Sequence, residues 1–304
     1  MKKLSYIISL IIIMAAVAIS CKTRFATTTS HYTSIASAAD FERGKELAFS
    51  NCAGCHYDKK VNKFIGSQIH DVPGIAGKVF SANLTHSKSN GVTDKYTDAE
   101  IRYLLKTGIA RNGRFLAYML RPNMAEQDID AIIVYLRSDD AALHAADTTV
   151  GLTRFTIIGK AYNGFTANPV PYQSNVRIPL STDKVAMGYY LIDNLGCFHC
   201  HSKKLTSLNY LNPDQTKGYL AGGIKFKGPG GTEVHASNIT PDKNTGIGNY
   251  TEAAFLKAIK EGIDPEGQPL KAPMPKFSLL KDDEVNAIYA YLQTVPAKQH
   301  KIEN

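Results

Sequence analysis

The chain of 304 residues contains few cysteines and almost no long apolar runs. Only five cysteines occur, and four of them fall into two short motifs, which leaves one over. A framework of disulfide bonds is therefore excluded, although an exported chain would ordinarily be expected to contain one. No long stripe of Lys and Arg with interleaved aromatic residues is present, so the net charge of +8 does not indicate nucleic-acid binding.

The long apolar run that does occur lies at the N-terminus. Two lysines precede an almost unbroken apolar segment over residues 7–18, and small residues and Cys21 follow. This order is typical of a secretory signal peptide, which we predict over residues 1–20. Residues 18–21, Ala-Ile-Ser-Cys, resemble a bacterial lipoprotein processing site, in which the cysteine becomes the lipidated first residue. We expect lipidation at Cys21, with an uncleaved anchor or plain secretion as alternatives, and the run is short for a bilayer span.

The segment that follows indicates where the protein would be located. Residues 21–39 are rich in Ser, Thr and Ala, and predict a flexible tether after the lipid. The expected location is the periplasmic side of a bacterial membrane. Lys22 directly after the lipidated cysteine favours the outer membrane, and the inner membrane is the alternative.

The sequence contains the motif Cys-x-x-Cys-His twice. The residues are Cys52, Cys55 and His56 in the first half, and Cys197, Cys200 and His201 in the second. Two thiols at this spacing can each form a thioether with one haem vinyl group, and the adjacent histidine then faces the iron. The motif is the attachment site of c-type haem. We therefore predict two covalently bound haem c groups.

Zinc is the main competing interpretation, because cysteine and histidine are zinc ligands. A zinc ribbon would combine two Cys-x-x-Cys pairs in one site, whereas here each pair has its own histidine and lies in a separate half of the chain. A thioredoxin-like redox motif would require a βαβ pattern, which is absent. Both alternatives are disfavoured.

A methionine is expected as the sixth iron ligand, because Met opposite His fills the coordination shell of electron-transfer haems. Met274 lies before the last predicted helix of the second half. In the first half, Met119 and Met124 both fall in the corresponding window, and aligning Met124 with Leu280 favours Met119. Ligation by a second histidine stays open. The histidines concerned are His70, His86, His199 and His235.

The two halves repeat each other beyond these motifs. Asn83-Leu-Thr85 matches Asn238-Ile-Thr240, and each half ends in a segment with apolar residues on one helical face. Thr97 and Glu100 form a capping box at the start of a further helix. The pattern predicts an all-α fold of two tandem domains joined by an extended linker. The predicted ranges are 40–146 for domain 1, 147–181 for the linker, 182–298 for domain 2 and 299–304 for the tail.

The second half also resembles a known family. The sequence Asn-Ile-Thr-Pro-Asp-Lys-Asn-Thr-Gly-Ile-Gly over residues 238–248, followed by Tyr250 and Thr251, is similar to a motif of the cytochrome c subunits of membrane-bound alcohol, aldehyde and gluconate dehydrogenases. The resemblance covers residues 40–140 and 182–297. It implies two class I cytochrome c domains that relay electrons from a periplasmic dehydrogenase. Those subunits commonly carry three haem domains, whereas this chain has two motifs.

The expected function is electron transfer between redox partner proteins at a membrane, without substrate chemistry. Six-coordinate irons have no open position, which catalysis requires. A dihaem peroxidase is the alternative, because it also uses two such motifs, but it requires one open iron and unlike haem environments. A haem module that senses redox state or docks to a larger oxidase is a third interpretation.

Overall fold

The computed structural model describes residues 5–11, 14, 24–35, 37–70, 72, 74–148, 151–227 and 231–302. Cys21 and most of the predicted signal peptide lie outside these described residues. Among the residues that the structure describes, no helix combines the length and the apolar character needed to cross a bilayer.

The chain forms two compact units that do not coincide with the two sequence repeats. Unit 1 comprises Met1–Thr33, Cys55–Leu120 and Ala141–Pro171, and unit 2 comprises Ser34–Gly54, Arg121–Asp140 and Tyr172–Asn304. The first and last helices of the first repeat therefore belong to unit 2, together with the second repeat.

In chain order, the helices and strands have the following bounds: α1 Ala38–Asn51, α2 Ala53–His56, β1 Gln68–Ile69, β2 Gly77–Phe80, α3 Asp98–Thr107, α4 Glu126–Leu136, β3 Arg154–Phe155, α5 Ile157–Thr166, α6 Lys184–Asn194, α7 Cys197–His201, β4 Lys225–Lys227, β5 Glu233–His235, α8 Glu252–Glu261 and α9 Asp282–Leu292. Short 3₁₀ turns lie between them, including Gly74–Ala76 and Ala117–Met119. The fold is mainly helical, as expected.

The strands are a difference from the all-α prediction. Unit 1 contains an antiparallel sheet in the order β1-β2-β3, and unit 2 contains the antiparallel pair β4-β5. Over the residues that the structure describes, none of these strands exceeds four residues. Segments this short show too few alternating positions for a period of two to be recognised in the sequence.

The linker prediction was wrong in part. Residues 147–181 contain β3 and the ten-residue helix α5, whereas residues 167–180 form no regular secondary structure. Thr156 caps α5, because its side chain accepts a hydrogen bond from the Gly159 backbone N–H at 3.1 Å. The glycines and the later prolines of this segment concealed the helix in the sequence.

The predicted helix starts and core faces are present. Thr97 and Glu100 form both bonds of the capping box at the start of α3, whereas Thr251 at the start of α8 makes only its own bond to the Ala254 N–H. Both helices end at a glycine with positive φ, Gly108 and Gly262. The apolar faces of the two closing helices are buried, with Ile129, Ile133 and Val285 each 0% exposed.

In unit 2, α1 packs against α4 and α6 packs against α9, and each of these pairs meets at a glycine. A Cβ atom on Gly44 of α1 would lie 1.8 Å from the Ala131 carbonyl oxygen of α4. In the same way, a Cβ on Gly188 of α6 would lie 2.0 Å from the Ala287 carbonyl oxygen of α9. The helix backbones therefore approach each other more closely than any larger side chain would permit.

A polar network inside unit 2 joins terminal helices of both repeats. The Arg43 guanidinium pairs with Asp128 at 2.9 Å and Glu46 at 2.7 Å, and also contacts Glu284 of α9. Tyr190 of α6 donates a hydrogen bond to Asp128 at 2.7 Å. Burial and the neighbouring Glu284 raise the pKa of Glu46 above its ordinary value. Since breaking a buried ion pair leaves an uncompensated charge, this network fixes the helices relative to one another.

Candidate haem-binding sites

The first Cys-x-x-Cys-His motif follows α1 directly. The Cys52 backbone N–H bonds to the Ala48 carbonyl at 2.8 Å and closes the helix, and the turn α2 then ends at His56. The division between the units falls within this motif, with Cys52 in unit 2 and the following cysteine and histidine in unit 1. In unit 1, His56 is 7% exposed, and its Nδ1 lies 2.7 Å from the Ala82 carbonyl oxygen.

The second motif repeats this arrangement within unit 2. Helix α6 ends at Asn194, Gly196 turns the chain at a φ of 75°, and α7 carries the motif from Cys197 to His201. The Nδ1 of His201 lies 2.7 Å from the Ser237 carbonyl oxygen. The two histidines thus have the same partner group at the same distance.

The carbonyl that each histidine contacts is positioned by the Asn-x-Thr sequence that directly follows it. The Asn83 side-chain oxygen accepts from the Thr85 N–H and hydroxyl at 2.9 and 2.8 Å, and its amide nitrogen donates to the Ala146 carbonyl at 2.7 Å. Asn238 makes the same contacts with Thr240 and with the Lys298 carbonyl, at 3.0, 2.8 and 2.7 Å. The repeated Asn-x-Thr was the sequence signal for this loop, although its role was not inferred.

The chemistry of the two histidines fits haem iron. Burial lowers the pKa of His56 and of His201, which keeps both rings neutral. In a neutral ring whose Nδ1–H donates to a backbone carbonyl, Nε2 carries the free lone pair that binds a metal. All four motif cysteines are only partly buried, as attachment to a porphyrin requires.

The candidate sixth ligands lie at matching turns. The Met119 N–H bonds to the Leu116 carbonyl at 3.0 Å, and the Met274 N–H bonds to the Lys271 carbonyl at 3.1 Å. Both side chains are partly exposed. Met124 differs from both, because it is only 1% exposed and is a core residue of α4's entry turn.

The remaining histidines have protein partners or solvent contact. His199 packs against the rings of Phe198 and Tyr210 at centroid distances of 4.3 and 5.2 Å. His86 contacts Asp94 at 2.9 Å, His235 contacts Glu233 at 2.9 Å, and His70 is exposed.

Arg121 is a residue that the sequence did not single out. Its Nε donates to the Asn51 side chain at 3.3 Å and to the Asn194 carbonyl at 3.0 Å, both within unit 2. Asn51 directly precedes the first motif, and Asn194 lies three residues before the second. Burial, assisted by the Arg121 charge, holds the pKa of His199 well below its usual range. No periodicity or motif marks such a residue, since its role comes from tertiary packing.

Asn123 and Asp193 form a second polar contact near Arg121. Asn123 donates to the Asp193 carboxylate at 2.7 Å, and Asp193 is 5% exposed. Burial raises the pKa of Asp193 to about 7, against the opposing effect of the Asn123 hydrogen bond and the Arg121 charge. A buried carboxyl that titrates near neutral pH therefore lies one helical turn before the second motif.

Comparison with known proteins identifies the first repeat. Residues 41–139 match the model of the cytochrome c family. The chain is 35% identical over 112 residues to the fructose dehydrogenase cytochrome subunit of Gluconobacter japonicus, covering 36% of this chain and 21% of that protein. It is 45% identical over 73 residues to the cytochrome c subunit of the quinone alcohol dehydrogenase of Gluconobacter oxydans (strain 621H), covering 23% and 15%.

A third relative is the gluconate 2-dehydrogenase cytochrome c subunit of Pantoea cypripedii. It is 36% identical over 109 residues, which cover 35% of this chain and 22% of that protein. The chain thus matches about a fifth of the length of these relatives. The matches show that the chain contains a cytochrome c domain and that its relatives are named as cytochrome subunits of dehydrogenases. This family implies a covalently bound haem c.

Proposed function

We propose that this protein is a dihaem electron carrier with two tandem cytochrome c domains. One haem is attached at Cys52 and Cys55 with His56 as ligand. The other is attached at Cys197 and Cys200 with His201 as ligand. The observation that carries the proposal is that the two histidines make the same contact through the ring nitrogen that would not bind iron. In each, Nδ1 lies 2.7 Å from a backbone carbonyl oxygen. A single-haem protein would have no need to reproduce this geometry around a second motif.

Met119 and Met274 complete the two iron sites in this proposal. Their matching turns support the pairing, and a second pair of turns supports it independently. The Met124 N–H bonds to the Arg121 carbonyl at 3.2 Å, and the Leu280 N–H bonds to the Phe277 carbonyl at 3.1 Å. Met124 and Leu280 are each 1% exposed. Met124 therefore corresponds to Leu280, a core residue of the second repeat.

Haem bound in this way supplies a one-electron iron couple, and the chain's own residues hold its surroundings fixed. His and Met ligation leaves no open position for a substrate, which favours relay over catalysis. The matched loops around His56 and His201 also disfavour the peroxidase alternative, because that enzyme requires one iron site to differ from the other.

The partner we propose is a dehydrogenase that passes electrons to this chain, as the names of the relatives suggest. Cys21 tethers the carrier to the periplasmic side of a bacterial membrane, through a lipid added after removal of residues 1–20. The N-terminal apolar run and the small residues before Cys21 support this location.

The test compares single alanine variants of the methionines in the haem-loaded protein. Met119→Ala and Met274→Ala should each remove the Met–sulfur absorption of one haem and lower one midpoint potential, because a strong-field sulfur ligand is lost. Met124→Ala should leave the spectrum unchanged while destabilising the fold by about 2–5 kcal/mol, because it leaves a cavity. A normal spectrum in Met119→Ala, with a changed one in Met124→Ala, would reverse the first assignment. High-spin haem that reacts with peroxide in the unmodified protein would favour the peroxidase.

A further inference from the structure

Helix α5 of unit 1 exposes its large apolar side chains, whereas an ordinary surface helix buries them. Gly159 is buried against the protein, where a Cβ would lie 1.9 Å from the Ala76 carbonyl oxygen. The large apolar side chains face outward: Ile157 is 73% exposed, Ile158 55%, Tyr162 60% and Phe165 66%. At 100° per residue, these four side chains fall within about 140° of the helix circumference.

This exposed face is larger than scattered surface residues would produce. Ile75, in the 3₁₀ turn that contacts α5, is a further 66% exposed. Contiguous apolar surface of this kind marks an interaction site. Packing within unit 1 does not explain it, because the helix contacts that unit through its glycine face.

Positive charge surrounds the apolar face. Lys78 and Arg154 are paired across β2 and β3, and Lys160 is exposed on α5. Arg24 and Arg114 line a cleft of about 480 Å³ together with Arg154 and Lys160. Residues 148–182 contain no Asp or Glu, so no acidic side chain of this segment offsets the charge.

The path of the chain places this surface at the attached end of the protein. The Phe25 backbone N–H bonds to the Gly113 carbonyl at 2.9 Å, so the segment beginning at Arg24 lies along the basic cleft. Arg24 is three residues after Cys21. An anchor at Cys21 therefore holds the basic cleft within a few residues' reach of the bilayer, at most about 3.6 Å per residue.

We propose that α5 lies in the interface of an anionic lipid bilayer, with Ile157, Ile158 and Phe165 among the acyl chains. Aromatic and aliphatic residues on one helix face, bordered by Lys and Arg, are the composition of helices that lie in a membrane surface. The cations of the cleft bind lipid phosphate groups. The inference rests on the proposed attachment at Cys21, and it adds a second contact that orients unit 1 on the membrane.

The test uses the lipidated haem protein, reconstituted into vesicles of phosphatidylglycerol and phosphatidylethanolamine. A photoreactive benzoyl-phenylalanine replaces Phe165, and a matched control carries it at Val61, which is 51% exposed in the same unit. We expect at least about fivefold more crosslinking to lipid at position 165, because only that position reaches the acyl chains. Vesicles of phosphatidylcholine alone, or the double variant Arg154→Glu and Lys160→Glu, should reduce this crosslinking by a similar factor.

Equal lipid crosslinking at the two positions would overturn the proposal. Crosslinking in native membranes to a polypeptide instead of lipid would also overturn it, and would make the surface a protein interface. Failure of the protein to float with vesicles would contradict attachment at Cys21, whereas flotation with equal crosslinking at the two positions would contradict only the membrane contact of α5. An unchanged haem spectrum in every variant shows that the fold is retained.

Discussion

Arg121 places a positive charge beside both attachment motifs, through its bonds to Asn51 and to the Asn194 carbonyl. A nearby positive charge stabilises the reduced haem, which carries one positive charge less than the oxidised form. We therefore expect Arg121→Gln to lower the midpoint potentials by roughly tens of millivolts, as a nearby unit charge in partly buried surroundings would. Arg121→Lys keeps the charge and should stay close to the unmodified protein in a spectroelectrochemical titration. Unchanged potentials in Arg121→Gln would show that the residue is structural only.

Asp193 makes the stability of unit 2 depend on pH. Its pKa is raised to about 7 by burial, whereas the unfolded carboxyl titrates near 3.8. The folded state therefore binds the extra proton between these values, so the free energy of unfolding falls as pH rises from about 4 to about 7. The full effect is on the order of a few kcal/mol.

The variant Asp193→Asn should flatten this pH dependence, because an amide does not titrate. Urea unfolding of the haem protein, followed at about pH 5 and about pH 8, measures the difference. Glu261→Gln changes an exposed carboxyl of the same unit and is the matched control, which should retain the slope of the unmodified protein. An identical slope in Asp193→Asn would assign the pH dependence to another group.

The residues proposed to attach haem are recognisable in the sequence, because thioether chemistry requires thiols and a histidine at fixed spacing. The groups that orient those histidines could not. Ala82 and Ser237 act through backbone carbonyls, which every residue has, so side-chain identity holds no information about them. The contacts of Arg121 and Asp193 were equally hidden, because they join segments about 70 residues apart.

At the scale of helices, the predictable elements were those with a regular apolar face or a cap. Helix α3 has a capping box and a buried stripe, α4 and α9 have a buried stripe, and the structure confirms all three. Helix α5 was missed because its apolar residues do not face the core and its interior contains two glycines. The rule that apolar faces pack inward fails where a surface serves another partner.

The close approach of the terminal helices gives a prediction for their packing. Gly188→Ala places a methyl group 2.0 Å from the Ala287 carbonyl oxygen, so α6 and α9 must move apart. We expect a loss of at least about 1–3 kcal/mol from overpacking. This exceeds the gain of about 1 kcal/mol from the better helix propensity of alanine. Urea unfolding measures the sum of these two effects on the free energy of unfolding.

Gly44→Ala should behave in the same way, because its Cβ would meet the Ala131 carbonyl oxygen at 1.8 Å. Gly74→Ala is the control, since a Cβ there meets nothing within 4 Å. If all three variants were equally stable, the helix pairs would be more loosely packed than the structure shows.

For the whole molecule, the sequence repeat and the compact units give different divisions of the chain. The repeat places α1 and α4 with the first motif, whereas packing places them in unit 2 with α6 and α9. Arg43 and Glu284, which are 241 residues apart, contact each other in that unit. A pairing across such a distance leaves no local pattern, so the repeat alone could not predict it.

In the proposed function, the chain carries two haems, each bound by histidine and methionine. A redox titration of the purified haem protein, followed by optical spectra and referred to protein concentration, tests it most directly. We expect two low-spin haems per chain, two one-electron steps and a Met–sulfur charge-transfer band in the oxidised form. One haem per chain, or a high-spin component that reacts with peroxide, would contradict it.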